Sequence, residues 1–153
     1  MKKYMLENVT LRPSLWKTKD PVRPELNVKF KTALGRGVFG LKGEGGEYKA
    51  FMCYARTVDV PQSVEELDEM TSETGHIIVP YTVWSHEKGA GRVIINKVVE
   101  RVGQAEMAQR VVTLSPQTDM ARRFHLRNDA IELRVNEATV NFEYEVKNEK
   151  TID

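Results

Sequence analysis

The chain has 153 residues, a net charge of +1, 41% apolar and 29% charged residues, so neither a disordered chain nor a globally basic nucleic-acid or membrane binder fits it. The length suits one domain, 1–153, with its own core. The one cysteine, Cys53, excludes an internal disulfide and a cysteine-rich metal site, and points to a reducing, cytoplasmic setting.

No apolar run approaches the roughly 20 residues a membrane helix needs. Glu7 and Asn8 interrupt the basic N-terminus where a signal peptide needs an apolar stretch. Residues 4–12 alternate loosely and predict a strand ended by Pro13. Pro21 and Pro24 break the next stretch, and "PELNVKFKTAL" predicts a short helix with Pro24 in its first turn. Residues 35–43 and 47–60 predict a hairpin around the turn "GEGG". Pro61, Ser63 and Glu66 then have the spacing of a capping box, opening a short acidic helix with Glu65, Asp68 and Glu69. This acidic segment, 61–75, reads as a solvated face or as a lure for a cationic amine.

"HIIVPYTVW", 76–84, is a strongly apolar strand interrupted by Pro80, which predicts a bulge or a broken pairing. The stretch "HEKGAGRVIINKVVERV" follows, with Ile94, Ile95, Val98, Val99 and Val102 on one helical stripe. A strand is expected over 110–116. A helix is expected over 117–130, with Thr118 or Asp119 as N-cap and Asn128-Asp129 as its stop. The last hairpin places Val140, Phe142, Tyr144 and Val146 on one face, and Asn141, Glu143 and Glu145 on the other. The polar tail 147–153 is expected to fray. The element order predicts an α+β or mixed α/β domain.

The glycines of "KGAGR" stand where a helix begins. The first four N–H groups of a helix lack internal partners and, with the dipole, attract an anionic group such as phosphate. Gly89 and Gly91 leave those amides bare, and Lys88 and Arg92 add charge. Gly91 is followed by Arg92-Val93 rather than Lys-Ser/Thr, which excludes a nucleotidase phosphate loop. Ile94 stands where a dinucleotide fingerprint needs its third glycine.

An apolar strand, Gly-x-Gly, a helix, a strand and a second short helix together resemble the GCN5-related N-acetyltransferases, the GNAT superfamily. "HEKGAGRVIINKVVERV" is similar to that family's pyrophosphate motif, usually Arg/Gln-x-x-Gly-x-Gly/Ala. "DMARRFHLRNDAIEL" is similar to its next motif, usually Ala-x-x-x-Tyr-x-x-x-Gly-Phe, with Ala121 on the alanine. His86 replaces the usual Arg or Gln, Thr118 a frequent asparagine, His125 the tyrosine, and Asp129-Ala130 the Gly-Phe pair.

The resemblance implies a mixed, mostly antiparallel sheet flanked by helices, with two strands splayed apart around the cofactor. It implies acetyl transfer from acetyl-CoA to an amine, carried by a small molecule or a peptide, with no metal. It implies pyrophosphate on the amides of Lys88, Gly89, Ala90, Gly91 and Arg92, with His86 and Thr118 nearby. The pantetheine arm would run along Val79, Tyr81 and Val83. His125 would stand as general acid, or pack within the helix face. Tyr81 would orient substrate, or pack in the core. Trp16 and Trp84 could line a pocket or fill the core. Many members dimerise, so a homodimer is expected; nucleic acid and membrane are not expected partners. The altered positions around His125 leave a second reading open, a GNAT-fold module that binds without catalysis.

Overall fold

A computed structural model describes residues 3–105 and 108–147. Most of the predicted tail, 148–153, lies outside the described residues. The chain runs β1 (Tyr4–Asn8), a 3-10 turn (Pro13–Leu15), α1 (Val28–Lys31), β2 (Arg36–Gly43), β3 (Tyr48–Thr57) and α2 (Val64–Met70). It continues through β4 (Ile77–Ser85), α3 (Ala90–Gln104), β5 (Arg110–Val112), β6 (Ser115–Pro116), α4 (Asp119–Arg127), β7 (Ile131–Val135) and β8 (Thr139–Tyr144). One eight-stranded sheet has the order β1-β2-β3-β4-β5-β8-β6, with β7 also paired to β8. Every pairing is antiparallel except β4 with β5.

Local chemistry explains most boundaries. Ser63 Oγ accepts from Glu66 N at 3.1 Å and starts α2, but Glu66 returns to Gln62 N (2.8 Å) rather than closing the predicted reciprocal box. Thr118, not Asp119, caps α4 by accepting from Ala121 N at 3.1 Å. Asp129 takes the left-handed conformation (φ 73°) just beyond the helix. The α1 segment is shorter than predicted: Asn27 caps it and Pro24 lies outside it. The predicted strand 4–12 ends at Asn8, where Thr10 N donates to the Asn8 side chain and turns the chain.

The stripe of α3 packs Ile94, Ile95, Val98 and Val102 onto one sheet face with Leu41, Met52, Val111 and Phe142. Trp16, Phe51, Leu67, Val79 and Tyr81 fill the other face. Trp16 is core, its Nε1 donating to Val9 O at 2.9 Å. Asn141 lies on the face of β8 opposite Phe142, as the alternation predicts. It is fully buried and donates to Pro61 O (3.0 Å) and Thr113 O (2.8 Å), because the chain leading into α2 covers it.

A charged cluster lies beneath the second face. Asp20 Oδ1 accepts from Val22 N, Arg23 N and Thr82 Oγ1, and its Oδ2 from Lys31 Nζ at 2.7 Å. Burial alone would raise the Asp20 pKa, but the bonds from Lys31, Arg23 and Val22 outweigh it and hold the carboxyl below its ordinary value. Asp20→Asn removes the carboxylate paired with the buried Lys31 ammonium. The expected loss is about 3 kcal/mol of stability, read as a lower urea midpoint with an unchanged slope.

Candidate active site

The site begins with a fork in the sheet. Parallel β4 and β5 pair only at Ile77–Arg110 and Ile78–Val111. One further bond, Leu114 N to Pro80 O at 3.0 Å, precedes their divergence. The predicted strand 110–116 therefore breaks in two: β5 stays beside β4, while β6 pairs with β8 instead. At the same level β4 carries a bulge. Cys53 faces Thr82 and Tyr54 faces Pro80, so Tyr81 has no opposite residue on β3.

A cleft of about 330 Å³ fills the fork. Pro80 to Ser85 form one wall, Ser115, Pro116 and Thr118 the other, Phe124 and His125 of α4 close it, and Pro21 and Val22 cap one end. None of the lining residues is Asp or Glu.

At the C-terminal end of β4 the chain turns into α3. Gly89 sits at φ 87° with no side-chain cap, and a Cβ placed there would meet nothing within 4 Å. Its left-handed geometry is the reason for glycine. Gly91 has a different reason: a Cβ there would come 3.0 Å from Phe124 Cε1, so glycine lets α4 close on α3. Ala90 N donates to Glu87 O and Val93 N to Gly89 O. Among the described residues the amides of Gly91 and Arg92 have no acceptor. A bare turn, two unpartnered amides and a helix dipole are features that attract an anionic group. The turn also presents exposed Lys88 and Arg92.

His125 is 6% exposed and stacks on Phe142 at 5.1 Å between centroids. Its Nδ1 lies 2.6 Å from Tyr144 Oη. Burial pushes the Tyr144 phenol up, so it keeps its proton. Nδ1 is its one hydrogen-bond partner among the described residues. Donation from Tyr144 to Nδ1 puts the imidazole's own proton on Nε2. Burial also lowers the His125 pKa to about 4. The group in the cleft wall at neutral pH is therefore a neutral imidazole, not the imidazolium that a readily ionised acid would require. Ser115 Oγ, on the opposite wall, donates to Thr113 Oγ1 at 2.8 Å.

This depressed value has a consequence for stability. An unfolded histidine titrates near 6.5, so the unfolded chain gains a proton between pH 6.5 and about 4 while the fold does not. The stabilisation is complete above pH 6.5 and is lost as pH falls to about 4. Its size is on the order of 3 kcal/mol. Thermal melts at pH 7 and 4.5 should differ more for the parent chain than for His125→Phe.

The cleft brings together Tyr81, Val83, Gly91, Thr118 and His125 from the residues singled out in the sequence. Lys88, Gly89 and Arg92 lie at the turn beyond its rim, with Ala90 buried beneath. His86 is exposed; its amide donates to Lys49 O, and its ring meets the edge of Phe51. Val79 is fully buried in the second core cluster and does not line the cleft. Tyr81 packs edge-on against Phe30 at 5.7 Å, and its buried hydroxyl faces the Cys53 thiol in the core. Trp84 lines the cleft, its Nε1 without a partner among the described residues. Arg122 pairs with Glu132, whereas Arg123 and Arg127 are exposed. Ser115 and Phe124 had not been singled out; a serine between an apolar strand and a capped helix was the available signal.

Among the described residues no group of three or more His, Cys, Asp or Glu could hold a metal, and no helix is long and apolar enough to cross a membrane. No family model and no curated protein matches the chain. Solved structures do. The loading GNATL domain of CurA from Lyngbya majuscula matches at a TM-score of 0.67 and 14% identity, over 94% of this chain and 98% of that one. The GphF GNAT-like decarboxylase, solved with isobutyryl-CoA, matches at 0.70 and 13%, over 94% and 100%. NAA60 of Arabidopsis thaliana, solved with acetyl-CoA, matches at 0.59 and 11%, over 93% and 99%. With its open, mostly antiparallel sheet forked beside a bare glycine turn, the chain has the GNAT fold.

Proposed function

We propose that the chain binds an acyl-coenzyme A thioester in the forked cleft and removes a carboxylate from its acyl group. The diphosphate rests on the turn at Gly89–Arg92 and the pantetheine arm follows β4 past Val83 and Tyr81. One observation carries the choice of chemistry: the cleft pairs a neutral, hydrogen-bonded His125 with Ser115 and contains no carboxylate. Loss of carbon dioxide from a malonyl-type thioester, whose free carboxylate lies β to the thioester carbonyl, needs no added base. The electrons of the breaking C–C bond pass to the thioester oxygen, where a fixed N–H donor stabilises the developing charge. His125 Nε2, oriented through Nδ1 by Tyr144, is suited to that task. Water then supplies the proton to the α-carbon. The likeness to GphF, a GNAT-like decarboxylase, supports this reading.

Transfer of acetyl to an amine is the second reading. The likeness to NAA60 with acetyl-CoA favours it. It requires an acceptor for the amine proton, and a histidine held near pKa 4 is a weak one. Incubation with malonyl-CoA should yield acetyl-CoA and carbon dioxide, seen by chromatography. Thiol release from acetyl-CoA with an amine panel, and none of this product, would establish transfer instead. Binding without either product would establish the module reading.

A further inference from the structure

Beside one end of the cleft lies a buried cation that is not itself among the lining residues. Arg23, 9% exposed, reaches from the N-terminal segment into the fork. Its Nε donates to Tyr81 O at 3.2 Å and its Nη2 to Leu114 O at 3.0 Å, the carbonyls of the two diverging strands. Among the described residues it has no ion-pair partner. The nearby acids are committed elsewhere or exposed. Asp20 gives its oxygens to Lys31, Thr82 and two amides, and Glu25 faces solvent. Arg23 and Lys31 thus place two buried cations against one buried carboxylate. Pro21 and Val22, the residues before Arg23, cap this end of the cleft. One further donor in a cleft-lining residue, Trp84 Nε1, is buried with no partner among the described residues. A buried cation held by two carbonyls and the charges of Glu25 and Asp20, with no ion pair of its own, is costly, and an unpartnered buried polar group in a native fold calls for an explanation. An anion supplied by the ligand answers both.

We propose that Arg23 is the specificity-determining residue of the site: its guanidinium, fixed between Tyr81 O and Leu114 O, supplies the charge that selects a carboxylate-bearing acyl group over acetyl. The proposal rests on the acyl-CoA reading of the cleft. The guanidinium acts across the wall formed by Pro21 and Val22, in a low-dielectric setting where a single charge is felt over several ångströms.

The test compares acetyl-CoA with sulfoacetyl-CoA, whose sulfonate imitates the carboxylate and does not leave. Calorimetric titration of the full chain should give about tenfold tighter binding of sulfoacetyl-CoA. Arg23→Gln, which keeps donors for the two carbonyls but no charge, should bring the ratio close to one. Arg23→Lys should retain the preference, and it decides the matter should the glutamine variant not fold. A ratio near one in the parent chain overturns the proposal, as does an unchanged ratio in Arg23→Gln or a lost one in Arg23→Lys. A parent chain that binds neither thioester overturns the acyl-CoA reading itself, a result distinct from equal binding of the two.

Discussion

His125→Gln is expected to lower turnover of the acyl-CoA substrate by about 10²–10³-fold, the usual cost of losing one fixed donor at a developing oxyanion. The affinity for coenzyme A should stay almost unchanged, because the turn proposed to seat the diphosphate opens α3 and His125 belongs to α4. Glutamine still places an amide in the cleft, but it lacks the ring that stacks on Phe142 and the Nδ1 held by Tyr144. Its donor is therefore not fixed. Steady-state kinetics give turnover, calorimetry gives affinity, and thermal melts check that the variant is folded. Equal turnover in the variant would leave His125 with a packing role only.

Gly89→Glu should weaken coenzyme A binding by at least about 100-fold. A Cβ at this position meets no neighbour, so no clash unfolds the chain. The left-handed backbone, φ 87°, costs a non-glycine residue about 1 kcal/mol. The binding loss comes instead from an anion placed where the diphosphate must sit. Gly89→Ala separates the two effects. It carries the same backbone strain with no charge, and most of its affinity should survive. Calorimetric titration of both variants makes the comparison; equal losses would mean that backbone geometry, not the diphosphate, governs the turn.

Elements set by neighbours in sequence were legible before the structure. The α3 stripe from Ile94 to Val102, the Thr118 cap and the two hairpins follow from local periodicity and short-range hydrogen bonds. The turn at Gly89 and the disruption at Pro80 were likewise legible, because glycine and proline act on their own backbone. What depended on distant partners was not. The break of 110–116 into β5 and β6 is decided by β8, which takes Ser115 and Pro116 away from β4. The burial of Asn141 depends on Pro61, whose carbonyl accepts its hydrogen bond. Asp20, Arg23 and Lys31 lie in a proline-broken, charge-rich stretch whose pattern gives no sign of burial. They are buried because the fork presents Thr82 and two main-chain carbonyls to them. The pantetheine path is expected along Val79, Tyr81 and Val83, but the bulge at Tyr81 shifts the alternation of β4: Val79 and Tyr81 pack in the second core cluster and Val83 against the first.

The central claim concerns the amides at the start of α3, and an NMR titration reads them one by one. On adding coenzyme A to the isotope-labelled chain, the largest amide shifts should fall on Lys88 through Val93, with Gly91 and Arg92 moving as their N–H groups gain an acceptor. Pantetheine, which lacks the diphosphate, should leave those signals in place while moving residues along β4. Saturating coenzyme A that shifts no amide of this turn, or shifts that cluster on another face of the sheet, would contradict the account.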